Sequence, residues 1–476
     1  MKVSLATTAE YAKSAADSIK DLSPNAADIL ITSVLASMAT DLGVVSPTSS
    51  GLLTYYDGSL NKPNTIDGYF VAPSSFKGND HEEHRISLTY GGYVETCKGA
   101  NTFAVPGIYK LLDFVYQNYA SLPLEILFEY PVNILKTGFK LTQPTKNYFV
   151  HSLKPLFSWH TESKSILTPI INNFDDGLVK IPKLSSTYSY MASVGFNDFY
   201  VGDINKEITS TLKNEGGHAT KDDFKNYELI EGSMFKISKI GTTIIGHKGP
   251  SIGGLMVLKY LNAFTELEDV SGLKNVYLER KSRFETFNNR QQLVTDEINT
   301  ITQSPSTIQV STSDDLNNHF SITFSSGYGS GVLCKKTGMY FNNSLGEIEL
   351  NPQGFLGETY GERLISNMSP LILILDNEIV AIGSPGADRI STSLAQVIIH
   401  NSRNNNWQNS INEPRFHVNM DGTIKSEPGT IIDFEDILYT DDYDMYFGGV
   451  CVSGVKNSEV FAYGDKRRSN IRWLNY

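Results

Sequence analysis

The chain has 476 residues and a formal net charge of −12 at pH 7, and this length allows it to bury a large hydrophobic core. The acidic balance argues against a nucleic acid or an anionic membrane surface as a partner, because both repel a negatively charged protein. Its three cysteines, Cys97, Cys334 and Cys451, lie far apart without metal-ligand spacing, which is typical of buried thiols in a reducing compartment.

Residues 1–22 carry charged and polar side chains throughout, so they lack the apolar stretch of a signal peptide. No run of about 18 apolar residues occurs along the chain, so no transmembrane helix is expected. Both features predict a cytoplasmic protein. After Pro24 and Asn25, apolar residues recur near helical spacing, which predicts a helix that ends before Gly43.

Strand and helix patterns alternate through the next part of the chain. Two short runs, residues 51–56 and 86–90, alternate or run apolar and predict strands. Helical patterns punctuated by Pro or Gly cover three further stretches: residues 107–150, 187–214 and 254–266.

From about residue 305 the pattern changes to short β-rich runs separated by Gly and Asn, which is typical of an antiparallel sheet. One further helix is predicted after Arg389. A helix-rich part, residues 1–305, followed by a strand-rich part, residues 306–476, predicts an α+β fold with helices packed on sheets. The runs predicted as strands are 306–312, 319–324, 331–336, 371–377 and 378–383.

Short glycine- and proline-centred strings recur along the whole chain in one order. The two most distinctive are GGHATKDDF at residues 216–224 and GPSIGG at residues 249–254. Together with the strings given below, they resemble the γ-glutamyltranspeptidase family of N-terminal-nucleophile (Ntn) hydrolases. The resemblance implies a four-layer αββα sandwich, in which residues 1–305 are similar to the large subunit and residues 306–476 to the small subunit of one domain. The further strings lie at 25–28, 104–107, 195–202, 329–331, 341–343, 366–370, 383–386 and 413–417.

Members of this family cut their own chain once and use the freed Thr as both nucleophile and base. The resemblance implies that a hydroxyl attacks the preceding carbonyl, and that hydrolysis of the resulting ester frees a new amino terminus. The freed α-amine, whose pKa is ordinarily about 8, then acts as general base for the hydroxyl at neutral pH. This chemistry needs neither a cofactor nor a metal, and we expect none. The string His81-Glu82-Glu83-His84 lacks the His-Glu-x-x-His spacing of a zinc helix and is interpreted as a solvated loop.

The position of the nucleophile depends on the length of the predicted hairpin that precedes the Gly-x-Gly turn at 329–331. Counting back without a gap places Pro305 there, and proline has neither a hydroxyl nor a primary amine. A hairpin tip shorter by one residue selects Ser306, which Thr307 follows, and a tip shorter by two selects Thr307. We rank Ser306 first, Thr307 second and the absence of a nucleophile third.

Tyr69 falls where the resemblance implies an Arg that pairs with the α-carboxylate of the substrate. A single phenol does not replace a bidentate guanidinium–carboxylate pair. Arg85 is close in sequence and is considered as a substitute cation, although an exposed surface Arg is the simpler interpretation. The pocket is therefore expected to suit a polar substrate other than a free γ-glutamyl group.

The resemblance implies further binding residues in the second part of the chain. Glu347 falls where an acidic residue binds the substrate amine, and Ser366 and Asn367 replace a pair of serines that hydrogen-bond the substrate carboxylate. Ser325, directly after the predicted strand 319–324, is a further substrate-binding candidate. The oxyanion hole is expected at the backbone amides of Gly386 and Ala387. The Ala in this pair is tolerable if its φ is negative.

These residues predict an amidohydrolase or acyltransferase that acts on γ-glutamyl-type or related amides after cutting itself. Its partner is expected to be a small-molecule amide, and the two fragments are expected to stay associated; a homo-oligomer is left open. The competing hypothesis is an Ntn-fold binding or scaffold protein that does not cleave itself. It is motivated by the loss of the family Arg at Tyr69 and by the uncertain register at Ser306.

Overall fold

Two antiparallel sheets lie face to face at the centre of the computed structural model. The structure describes residues 1–75, 84–89, 94–249, 251–263, 274–276, 307–347, 361–419, 423–430 and 437–476. The first sheet contains, in spatial order, β18 (Ile471–Asn475), β1 (Val3–Thr7), β9 (Ile308–Asp314), β10 (His319–Ser325), β2 (Ser50–Asp57), β3 (Lys62–Gly68) and β6 (Ile230–Glu231). The second contains β17 (Glu459–Tyr463), β16 (Cys451–Lys456), β12 (Glu378–Gly383), β11 (Leu371–Leu375), β8 (Thr242–His247) and β7 (Met234–Lys239).

Both central sheets take strands from either side of residue 305, so the helix-rich and strand-rich parts share one architecture. Two small sheets lie outside this centre. They are formed by β4 (Arg85–Leu88) with β5 (Val94–Cys97), and by β13 (Phe416–Val418), β14 (Ile424–Ser426) and β15 (Ile437–Tyr439).

Helices cover the outer face of each central sheet. One apolar core joins the first sheet to α1 to α10, and a second joins the other sheet to α11 to α13. The resulting order of helix, sheet, sheet and helix is the αββα sandwich, and the predicted α+β class is confirmed. The helices are α1 (Glu10–Ile19), α2 (Ala26–Thr40), α3 (Ile108–Tyr119), α4 (Leu124–Thr137), α5 (Gln143–Ser152), α6 (Thr161–Asn172), α7 (Pro182–Val194), α8 (Asp198–Val201), α9 (Asp203–Asn214), α10 (Lys221–Lys225), α11 (Gly253–Ala263), α12 (Arg389–Asn404) and α13 (Trp407–Asn412).

Polar side chains meet at the interface between the two sheets. Ser4 of β1 and Ser453 of β16 place their hydroxyl oxygens 2.8 Å apart. The hydroxyl of Ser321 in β10 donates to the carbonyl of Ile382 in β12 at 2.8 Å. Along β9, alternate residues face the helices and the second sheet. Because every residue of β9 is buried, its polar side chains need hydrogen-bond partners within the protein.

One predicted strand is not found, and several observed strands, among them β1, were not predicted. The segment 331–336 was predicted as a strand and is a loop, held by one isolated bridge between Leu333 and Tyr340. Gly331 has φ +78, and a Cβ atom there would lie 1.9 Å from the carbonyl oxygen of Leu156, so the chain bends away from a strand. The opposite error concerns β1, because residues 1–22 showed only a polar pattern and yet contain a central strand.

The remaining predicted elements lie close to where the sequence placed them. The helix after Asn25 is α2, which begins with a capping box formed by Asn25 and Asp28. The predicted helix after Arg389 is α12. No helix in the described ranges is long and apolar enough to span a membrane.

Candidate functional site

The start of β9 and the ends of its neighbours meet at one edge of the first sheet. A row of paired residues crosses β9, β10, β2 and β3 near this edge. The next residues beyond that row are Thr307 on β9, Ser325 on β10 and Tyr69 on β3. Since neighbouring strands are about 4.8 Å apart, Thr307 and Tyr69 lie about 14 Å from each other across the sheet. Ser306 lies outside the described residues. The paired row consists of Ile308, Phe324, Gly51 and Gly68.

Tyr69 lies in a buried polar cluster. Ser366 and Ser344 lie beside its hydroxyl, and the carboxylate of Glu347 is nearby. Burial, and then the charge of Glu347, raise the pKa of Tyr69 well above its usual value, so the phenol remains neutral. Ser344 Oγ is 3.4 Å from Glu347 Oε1. The structure thus brings together Tyr69, Glu347 and Ser366, and it adds Ser344, which the sequence analysis missed.

Two other predicted binding residues lie around this cluster. Ser325 Oγ accepts a hydrogen bond from the amide of Gly327 at 3.0 Å, in the loop that leads from β10 towards Asn343. Asn367 follows Ser366 and is also buried, with its carbonyl packed against Gly253 at the start of α11. Both residues are therefore part of the wall that surrounds the cluster.

Arg363 contacts the backbone of Tyr69. Its Nη1 donates to the carbonyl of Tyr69 at 2.6 Å and to the hydroxyl of Tyr227. Its Nε lies 3.6 Å from Asp67 Oδ1, and the same oxygen accepts a hydrogen bond from the amide of Tyr69 at 2.7 Å. Arg363 thus holds the backbone of Tyr69, whereas Arg85 is exposed on β4. Arg363 was not among the predicted site residues, because 294 positions separate it from Tyr69 and no motif marks it.

Gln309, also missed from the sequence, occupies the inner face at the start of β9. Its Nε2 donates to Ser311 Oγ at 2.9 Å and to Ser321 Oγ at 3.0 Å, and its Oε1 accepts from Thr323. A Cβ atom at Gly383 would lie 2.2 Å from Gln309 Oε1, so the carboxamide touches the end of β12. Thr307 is two residues nearer the start of the chain on the same face and is buried. It therefore lies towards the turn that follows Gly383.

That turn contains Gly386 and Ala387 and leads into the first residue of α12. The amides of Arg389 and Ile390 donate to the carbonyls of Gly386 and Ala387 at 3.0 and 3.2 Å. The helix N-terminus provides a partial positive charge at this point. Ala387 has φ +59, so the negative φ required for an unstrained exchange of Gly for Ala is not found. An alanine in the left-handed region costs about 1 kcal/mol, and the turn carries this strain.

A hydroxyl, an imidazole and a carboxylate meet directly behind this turn. His417 Nε2 lies 3.2 Å from Asp388 Oδ2, and His417 Nδ1 lies 3.0 Å from Thr392 Oγ1. The guanidinium of Arg389 donates to the other oxygen of Asp388 at 2.7 Å. All four side chains are buried, and Thr392 also donates to the carbonyl of Arg389 within its own helix. The arrangement therefore anchors α12 to β13 beneath the turn and does not present a nucleophile.

No group of three or more His, Cys, Asp or Glu side chains that could hold a metal ion occurs in the described part of the chain. The string 81–84 lies outside the described residues except for His84. The polar groups at the site are thus hydroxyls, carboxamides, carboxylates and backbone amides. Such groups suit the binding and attack of an amide.

The sequence of the chain matches a protein-family model and several known proteins. A family model described as Gamma-glutamyltranspeptidase matches residues 12–297 and 275–472. The chain is 22% identical over 454 residues to the glutathione hydrolase proenzyme of Bacillus subtilis subsp. natto, covering 82% of this chain and 76% of that protein. It is 23% identical over 456 residues to Scoloptoxin SSD14 of Scolopendra dehaani, covering 80% and 76%.

A solved structure shares the fold along almost the whole chain. The crystal structure of cephalosporin acylase from Bacillus halodurans superposes with a TM-score of 0.77 and covers 99% of this chain and 95% of that one. At 18% sequence identity, this likeness establishes the fold alone.

Proposed function

Because the chain belongs to the γ-glutamyltranspeptidase family, we propose that it is an Ntn amidohydrolase or acyltransferase acting on γ-glutamyl-type or related amides. The relatives named glutathione hydrolase support an amide substrate of this class. The proposal includes a cytoplasmic location and a small-molecule partner. After cleavage the fragments would stay associated, because both central sheets contain strands from either side of residue 305.

The observation that carries the proposal is the buried cluster of Tyr69, Ser344, Glu347 and Ser366. Burying several polar groups is unfavourable unless they pair with each other or with a ligand. These four come from three segments of the chain, since Ser344 and Glu347 share one turn, and they converge where the first sheet ends, on the side where β9 begins. A few converging polar groups that fix the orientation of a ligand are a usual feature of small-molecule binding sites.

In the proposed mechanism, the hydroxyl of Ser306, or alternatively of Thr307, attacks the carbonyl of the preceding residue. The acyl group moves from nitrogen to oxygen, which breaks the C–N bond and leaves an α-amine, and water then hydrolyses the ester to give the carboxylate of the first fragment and the free hydroxyl of the second. In turnover this amine removes the hydroxyl proton while the oxygen attacks the substrate amide, and the proton passes to the leaving amine. The amides of Gly386 and Ala387 would stabilise the oxyanion, and Glu347 would bind the substrate amine. Water or a second amine then accepts the acyl group.

Intact mass after expression tests the cleavage step. We expect two fragments, residues 1–305 and 306–476, in place of the single 52.7 kDa chain. Ser306→Ala should leave the chain uncut and abolish turnover of γ-glutamyl anilides, whereas Thr307→Ala should still be cut. Ser304→Ala removes a nearby hydroxyl and serves as the matched control. Cleavage of Ser306→Ala together with failure of Thr307→Ala would transfer the role to Thr307.

A second candidate function, a binding or scaffold protein without catalysis, is favoured by Gln309. A residue without a hydroxyl occupies the inner face at the start of β9, and its carboxamide is engaged on both sides. The strained Ala387 in the expected oxyanion turn points the same way. A wild-type chain that stays at 52.7 kDa and binds γ-glutamyl compounds without turning them over would establish this alternative.

A further inference from the structure

An open groove lies in the helix layer outside the first sheet, away from the Tyr69 cluster. It is formed by the end of α5, the π-helical turn Leu153–Phe157 and α6, and its cavity measures about 670 Å³. This volume lies within the range of small-molecule sites, roughly 300–1,000 Å³. The apolar side chains that line it include Phe149, Leu153, Trp159, Ile170 and Phe174.

Several of the lining side chains are apolar and exposed at the same place. Val150 is 68% exposed, Ile171 is 42% exposed and Trp159 is 39% exposed. Isolated exposed apolar residues are ordinary, but a contiguous set around a cavity marks a surface that a ligand or partner covers.

Two lysines, Lys154 and Lys164, line the same groove and are exposed. Within the described ranges, no carboxylate forms an ion pair with either of them. The acidic side chains nearest in sequence are paired with other lysines, at 3.6 Å for Asp175 with Lys146, 2.8 Å for Asp176 with Lys140 and 2.8 Å for Glu162 with Lys335. In a chain of net charge −12, the groove therefore combines an apolar body with a positive rim.

We propose that this groove binds a free, single-chain anionic amphiphile, with its hydrocarbon chain in the cavity and its acidic head group between Lys154 and Lys164. The apolar lining stabilises the chain by removing it from water. The lysine side chains are long enough to keep their ammonium groups at the rim while their stems extend the apolar wall. The site is separate from the proposed catalytic centre and does not depend on its activity.

Calorimetric titration of the full-length protein with alkanoates tests the ligand class. From hexanoate to decanoate, affinity should rise about fourfold for each added methylene, as expected for burial of a hydrocarbon chain. Decanol and decylammonium have the same chain without the anionic head, and they should bind at least about tenfold more weakly. Trp159 fluorescence should change on binding, and Trp159→Phe should remove that change while calorimetric binding persists.

Two sets of exposed substitutions test the groove without disturbing the core. Val150→Asp places a charge on the apolar wall and should abolish decanoate binding, whereas Val201→Asp, at a site 56% exposed on α8, should not. Lys154→Gln combined with Lys164→Gln should reduce decanoate affinity about tenfold, to that of decanol. The exposed Lys213→Gln on α9 is the matched control.

Equal affinity for decanoate, decanol and decylammonium would overturn the proposal, as would unchanged decanoate binding in Val150→Asp. A concentration-dependent dimer that Val150→Asp dissociates, in a protein that does not bind decanoate, would assign the groove to a second copy of the chain. Sedimentation with anionic phospholipid vesicles, lost in Val150→Asp and not reproduced by free decanoate, would assign it to a lipid surface. Each of these two results also contradicts the free ligand.

Discussion

Tyr69 shows how much of a residue's role depends on the atoms that surround it. Its hydroxyl faces Ser344, Ser366 and Glu347, while its carbonyl is held by Arg363. Three of the five N–H groups of Arg363 point to the carbonyls and hydroxyl of its protein neighbours, so its positive charge is used to fix the backbone. The pocket side of this position therefore presents a neutral phenol.

The variant Tyr69→Arg should raise kcat/KM for γ-glutamyl substrates about ten- to a hundredfold in protein that has cleaved itself. The reason is a charged hydrogen bond to the α-carboxylate, worth about 1.5–3 kcal/mol. Amides without an α-carboxylate should change much less, and Tyr69→Lys, a point charge without the bidentate geometry, should gain less.

Glutathione turnover by the wild type, Tyr69→Arg and Tyr69→Lys tests this prediction. Micromolar apparent affinity for glutathione in the wild type would contradict this prediction, since a cation such as Arg85 or Arg363 would then already bind the carboxylate.

At the scale of the elements, the contact between β9 and β12 depends on one glycine. The carboxamide of Gln309 hydrogen-bonds Ser311, Ser321 and Thr323 within the first sheet and packs against β12 of the second, where it fits because Gly383 has no side chain. The same strand pairing sets which residues stand at the end of the sheet. In the register of β9 with β10, Phe324 is opposite Ile308, and Thr307 follows at the edge.

Gly383→Ala should lower the free energy of unfolding by about 1–3 kcal/mol, because the added methyl would overlap with the carboxamide of Gln309. In a Gln309→Ala background, the same substitution should cost less than half as much, since the overlapping atoms are gone. Urea unfolding of the two single variants, the double variant and the wild type measures the coupling. If Gly383→Ala lowers the free energy of unfolding equally in both backgrounds, the added methyl does not overlap with Gln309.

At the scale of the whole molecule, burial of titratable groups shapes the dependence of stability on pH. Burial raises the pKa of Asp41 to about 7, and it lowers the pKa of His247 to about 4 and of His319 to about 3. The unfolded chain protonates its histidines near pH 6.5, so stability from both buried imidazoles is lost as the pH falls below that value. Asp41 acts in the opposite direction, because between about pH 4 and 7 only the unfolded chain releases its proton.

Asp41→Asn should therefore stabilise the protein more at pH 8 than at pH 5, by a difference on the order of 2 kcal/mol. The amide keeps an acceptor for the Thr142 hydroxyl, which donates to Asp41 at 3.0 Å, and removes the buried carboxyl. Denaturant unfolding at the two pH values gives the difference directly. The exposed Asp222→Asn is the control and should behave alike at both. A gain for Asp41→Asn that is independent of pH would contradict the raised pKa.

The sequence by itself determined the fold class, most helices and the family. Helical periodicity, as in α2, and turn-forming glycines are local signals, and the order of short strings along the chain is also visible without a structure. It also brought Tyr69, Glu347 and Ser366 forward as binding candidates, and the structure places these three together. Their catalytic roles, and those of Ser306, Gly386 and Ala387, stay predictions.

Only the tertiary structure decided which distant residues share the site. It placed Arg363 behind Tyr69, Ser344 within the cluster and Gln309 against Gly383. It also showed that the segment 331–336, apolar enough to predict a strand, bends at Gly331 where the helix layer approaches. These contacts depend on strand register and on the packing of layers. Strand register and layer packing join residues that are far apart in the sequence. Neither segment of a pair carries a local signal that identifies its partner.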